Sequence, residues 1–154
     1  MQIISLQEPL RPAVPTVLGN VDYQRVSAEL SRIDELLIRS GVEDAFVEKS
    51  LTKYVARGAK AGVQARPGDL RRHAARGSTV LRSMVLIRLL DEDYRGMSRR
   101  LAECPLFRWF CRIETLGPIR VPGKSTLQEY AQWLEEDELR ELVGTLLQAA
   151  KDGE

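Results

Sequence analysis

A chain of 154 residues, 44% apolar and 29% charged, fits one domain with tails and can bury a real core. The formal net charge of +1 singles out no class of partner, and two cysteines outside any Cys-x-x-Cys spacing exclude a metal-cysteine site and a disulfide framework. No apolar run reaches the ~20 residues needed to cross a bilayer, and the first twenty residues lack the basic and apolar regions of a signal peptide, so a reducing cytoplasm is the expected compartment.

Charge is segregated along the chain. Residues 1–50 carry 5 basic and 8 acidic side chains, residues 51–125 carry 16 and 6, and residues 126–154 carry 2 and 8. Two explanations stand side by side. Either the basic centre meets an anionic partner, or it packs against its own acidic ends.

The expected elements, in chain order, begin with an extended arm over 1–21, interrupted by Pro9, Pro12 and Pro15, with a short strand at 2–6. A helical hairpin follows over 22–58. Val26, Leu30, Ile33 and Leu37 recur at helical spacing up to a stop at Gly41, and Phe46, Val47, Leu51, Tyr54 and Val55 share a face up to Gly58. Three glycines and a proline within 58–68 mark 59–68 as a linker loop. A helical domain over 69–150 completes the chain before a polar tail at 151–154.

Within that domain, Asp69 is placed to cap a short basic helix ending at Gly77, and Ser78 to cap the next, whose apolar residues from Val80 to Leu90 cover most of its circumference. That second helix is the expected centre of the core. Ser98 is placed to cap another short helix, and Pro105 suits the first position of the one after it. Leu106, Trp109, Phe110 and Ile113 then form one apolar stripe, with Arg108 and Arg112 on the other side. Two short helices joined by a tight turn resemble a helix-turn-helix in outline. Leu127, Tyr130 and Leu134 share a face, and the final helix follows the acidic run 135–138 with Leu139, Leu142, Val143, Leu146 and Leu147. The expected class is all-α, a compact multi-helix domain with an extended N-terminal arm.

Several motifs invite chemistry and fall short of it. Gly123-Lys124-Ser125-Thr126 lacks the upstream glycine of a phosphate-binding loop, because position 118 is proline. His73, the one histidine, stands among arginines and suits solvent or an anion contact better than a metal. The acidic runs at 91–93 and 135–138 are contiguous, so their members point apart on a helix instead of converging on metal ions. No cofactor is expected. The more durable signal is arginine, whose planar fork suits phosphate.

Residues 79–134 carry three features in order. Tyr94, Gly96, Met97 and Ser98 form a turn after an apolar helix; Leu106, Arg108, Trp109 and Phe110 follow a leucine-bearing helix; Pro122, Ser125, Thr126 and Leu127 open another. This order resembles the N-terminal domain of bacterial insertion-sequence transposases of the DDE class. Those proteins often place Asp-His where this chain has Gly123 and Lys124. Their catalytic domain follows this region, so the resemblance carries over no catalytic residue and implies no enzymatic activity for this chain. It implies a module that binds double-stranded DNA at an element's terminal inverted repeats or assembles the synaptic complex. The expected contacts are Arg71, Arg72, Arg76, Arg99, Arg100, Arg108, Arg112 and Lys124 on phosphates, with Ser125 and Thr126 at a helix start. The alternative is a helical protein-interaction module that does not bind DNA. Self-association through the C-terminal helix is compatible with either.

Overall fold

The computed structural model describes residues 11–152, and the expected strand at 2–6 lies outside them. The described residues form seven helices and no strand: α1 Val21–Arg39, α2 Val42–Lys60, α3 Pro67–Leu90, α4 Tyr94–Glu103, α5 Pro105–Phe110, α6 Lys124–Ala131 and α7 Glu136–Asp152. The all-α class expected from helical periodicity is therefore the one observed.

Local chemistry explains most helix ends. The Asn20 side chain accepts from the Tyr23 amide at 2.8 Å and opens α1. Gly41 turns the chain into α2 at φ 74°, a left-handed conformation that glycine adopts without steric cost. Pro105 starts α5 as its fixed φ favours.

Three boundaries differ from the sequence expectation. Helix α2 continues past Gly58 to Lys60. Helix α3 begins at Pro67 and runs unbroken through Gly77 and Ser78, so the expected pair of helices is one. Gly77 is not a stop: it is buried where α2 crosses close by, and a Cβ there would stand 3.5 Å from the Val47 Cγ2. Helix α4 is capped by Asp93, whose carboxylate accepts from the Gly96 amide at 2.6 Å, while Ser98 lies inside the helix. A Cβ at Gly96 would run into the Glu92 carboxylate that accepts from Arg100 Nε, so that flexible side chain would have to shift.

The core gathers around the middle of α3. Val80, Leu81 and Leu86 are fully buried with Leu37 of α1, Met97 and Leu101 of α4, Leu106 and Phe110 of α5, and Leu127 of α6. Trp109 and Phe110 are core residues, as their stripe indicated. Helix α3 is not apolar-buried along its whole length, since Leu89 is 53% exposed. Residues 11–15 are tied down: Trp109 Nε1 donates to the Pro12 carbonyl at 3.1 Å, Tyr23 donates its hydroxyl to the Pro15 carbonyl, and Arg11 lies over the Trp109 ring at 4.0 Å.

Arg82 is buried among these apolar side chains with no solvent exposure. Its guanidinium donates to both Glu43 oxygens at 3.0 and 2.7 Å, to Asp34, and to the Phe110 carbonyl at 2.9 Å. Arg11 donates to the same Asp34 and to the Trp109 carbonyl, and Arg112 stands 3.6 Å from Glu43. Burial by itself would raise the Glu43 carboxyl, but the Arg82 hydrogen bonds and the charges of Arg82 and Arg112 outweigh it and hold the group below its ordinary value. Burial by itself would lower the Arg82 guanidinium, and Glu43 and Asp34 more than offset it.

Replacing Arg82 by Met removes the guanidinium that bridges two buried carboxylates and leaves them only Arg11 and Arg112, which costs about 3–5 kcal/mol in a denaturant melt at neutral pH. Because Glu43 is depressed in the folded state, its contribution is fully present above the ordinary carboxyl value and is lost as pH falls through the folded one. Wild-type stability therefore declines below about pH 4.5, and Glu43→Gln, though less stable at neutral pH, shows a flatter acid limb in melts across that range. Gly77→Ala meets only ordinary contact at Val47 and gains helix propensity, so it is neutral or stabilising by up to about 1 kcal/mol in a thermal melt.

Candidate nucleic-acid interface

Helices α2 and α3 run antiparallel, because Val47 faces Gly77, Leu51 packs with Ala74, and Tyr54 meets His73. Val47, Leu51 and Ala74, with Leu70 against them, form a small apolar cluster separate from the main core. From Thr52 to Arg66 no residue is buried, so the far end of this hairpin stands in solvent. Between residues 51 and 80 the chain carries Lys53, Arg57, Lys60, Arg66, Arg71, Arg72 and Arg76 against the single acid Asp69. All seven cations are exposed. Asp69 pairs with Arg72, three residues along the same helix.

The ten sequence-predicted contact residues divide by position. Arg71, Arg72 and Arg76 lie on the α3 arm of the basic hairpin. Arg99 and Arg100 are exposed on α4, where Arg100 is engaged with Glu92 at 2.6 Å. Lys124, Ser125 and Thr126 open α6 directly after Gly123, with Pro122 buried beneath, and α6 packs on α3 and α4. Arg108 and Arg112 turn inward. Arg108 donates to the Leu101 and Ala102 carbonyls at 2.9 and 2.8 Å, satisfying the open end of α4. Arg112, at φ 57°, folds back toward Glu43. Helix α5, which carries Arg108 and ends two residues before Arg112, has six residues, four of them buried, so the helix-turn-helix outline does not present α5 as a helix to enter a groove.

The hairpin is braced against the body by aromatic rings. His73 stacks between Tyr54, at 4.3 Å between centroids, and Trp133, at 4.8 Å. The Arg76 guanidinium lies 5.8 Å from the Tyr130 ring and 5.9 Å from that of Trp133. Burial, then the charges of Arg76 and Arg57, push the His73 imidazole below its ordinary value, against the pull of a hydrogen bond to the Ser50 backbone. His73 is thus a neutral spacer within the cationic hairpin, more buried than a solvated or anion-binding side chain. Cys111, wholly buried, has its thiol pushed up to about 12 by burial.

The acidic ends do meet part of the basic centre. Arg88 of that centre pairs with Glu136 at 2.5 Å, and Lys49, just before the centre in the chain, pairs with Glu138 at 2.6 Å, holding the start of α7 on α2 and α3. Among the described residues none of the ten expected contacts pairs with the acidic segment 135–141. Beside α7 lies a largely apolar groove of about 520 Å³, lined by Ile33, Leu36, Val85, Leu89, Val143 and Leu146 with Glu29, Arg32 and Arg88 among its lining residues. No helix among the described residues is long and apolar enough to cross a membrane.

Arg57, Tyr54 and Trp133 were not singled out from the sequence as parts of a site. The antiparallel pairing of α2 and α3, which the expected stop at Gly77 conceals, brings Tyr54 to His73, and nothing in the sequence signals that Trp133 stacks beneath them. Comparison with protein-family models, with curated proteins and with solved structures finds no match to this chain.

Proposed function

We propose that the chain is a double-stranded-DNA-binding module of the transposase N-terminal kind, which holds the terminal inverted repeats of a mobile element or helps assemble its paired ends. The observation that carries this reading is the outer part of the α2–α3 hairpin, residues 51–80: seven exposed cations against one acid, on a projection whose far end has no buried residue. A charge arrangement of that kind works against folding unless something else neutralises it, and a phosphate backbone does so with release of condensed counterions. The motif order Tyr94–Ser98, Leu106–Phe110, Pro122–Leu127 supports the same reading by resemblance. In this reading Arg57, Arg71, Arg72 and Arg76 sit on phosphates through their forks, and Arg99 and Lys124 add contacts from α4 and α6. These residues bind and position; the reading assigns them no bond-breaking step.

The test is a duplex-DNA titration by fluorescence anisotropy at a series of salt concentrations. Six neutralised phosphates correspond to a log–log slope of about −5. The combined variant Arg57→Ala, Arg71→Ala, Arg72→Ala changes exposed side chains only and flattens that slope by about three. Arg88→Ala, on the far part of α3 and paired with Glu136, leaves the slope unchanged. Absence of duplex binding at low salt sinks the proposal, and an unchanged slope in the triple variant moves the interface off the hairpin.

A further inference from the structure

The ring ladder at the hairpin has one open end. Tyr54, on α2, is its outer rung: it is 37% exposed, and among the described residues no ring other than His73 stacks on it. The planes of Tyr54 and His73 meet at 20°, and those of His73 and Trp133 at 17°, so the three rings lie nearly parallel. Stacking on both of its neighbours holds His73, and Trp133 backs it from the body. Arg57 follows Tyr54 by one helical turn on α2 and carries an exposed guanidinium. A preorganised, partly exposed ring face beside an unneutralised arginine combines the two features that hold an unpaired nucleotide: a surface for the base to stack on and a cation for its phosphate.

We infer that the exposed face of Tyr54 is a stacking platform for an unpaired nucleobase, with Arg57 taking the adjoining phosphate. The ligand is a single-stranded segment continuous with the duplex that the rest of the hairpin holds, so this inference rests on the DNA-binding reading and adds a single-strand component to it. Bases inside a duplex already have neighbours on both faces and cannot use the platform. The rigid ladder removes most of the ordering cost that a lone surface tyrosine would carry when a base stacks on it.

The experiment compares a blunt duplex with the same duplex bearing a short single-stranded thymine tail, by anisotropy, for the full chain, Tyr54→Ala and Tyr54→Phe. For the wild type the tailed duplex binds about tenfold tighter than the blunt one. Tyr54→Phe keeps that ratio, and Tyr54→Ala brings it to about one, each variant serving as its own reference. A second readout needs no variant: 2-aminopurine placed in the tail is quenched when the wild-type chain binds. Equal affinity for blunt and tailed duplexes, or an unquenched tail probe on a bound complex, overturns the platform and leaves the duplex reading intact. A tail that binds in a Tyr54-dependent manner while the blunt duplex does not bind at low salt supports the platform and overturns the duplex reading. Binding of neither overturns both.

Discussion

A guanidinium with no access to water must have its charge answered within the fold, and at Arg82 three other helices supply the answer. Glu43 of α2 grips the fork with both oxygens, Asp34 of α1 and the Phe110 carbonyl at the end of α5 take the remaining donors, and Arg11 closes over Asp34 from the N-terminal arm. Such a cluster adds little net stability over a well-packed apolar alternative, because desolvation consumes much of the attraction. What it adds is geometry. The carboxylates can both reach one guanidinium only if α1 and α2 meet α3 at a single level, and Gly41 at φ 74° lets the chain turn from one acid-bearing helix into the other. With that level set, the outer halves of α2 and α3 extend beyond the body as a hairpin.

The same use of arginine as an internal tie explains why the residues most suggestive of a nucleic-acid reader are structural. Arg108 satisfies carbonyls at the end of α4, and Arg112 turns back to the buried acid Glu43. Gly96 leaves space for a carboxylate that is itself engaged, and Met97, Phe110 and Leu127 are fully buried. These three stretches are thus determinants of how α4 packs on α5 and α6, and how α6 packs on α3. Cationic side chains free for a partner are concentrated elsewhere.

Charge along the chain resolves into two populations. Cations near the body find acids, as in Lys49–Glu138, Arg88–Glu136 and Arg100–Glu92, and these exposed pairs hold α7 and α4 lightly. Cations over residues 51–80 of the hairpin have Asp69 within that stretch, and Lys53 also feels the charge of Glu138 at the start of α7. Their mutual repulsion opposes folding, and it is resisted by a small cluster around Val47, Leu51 and Ala74 and by the ladder through His73. An excess of one charge on a weakly supported projection is an arrangement that an anionic partner stabilises and solvent does not.

Helical periodicity, proline placement and the apolar stripe at Leu106, Trp109 and Phe110 were enough to read the all-α class, most of the core and the start of α5, because these depend on short-range spacing that the chain carries in itself. Charge segregation was equally visible, but it marked residues 51–125 as a whole and did not separate Arg71, Arg72 and Arg76 from Arg108 and Arg112. A glycine can end a helix or admit a neighbouring one, and only the approach of Val47 shows which Gly77 does. A helical wheel places Arg108 and Arg112 opposite the core stripe, but it cannot show that open carbonyls and a buried acid wait there. The ladder from Tyr54 to Trp133 joins residues almost eighty positions apart, and the pairing of Arg82 with Asp34 and Glu43 spans about forty or more. Contacts at such separations have no period to betray them. They exist because tertiary packing brought the helices together, and they decide where the free positive charge stands.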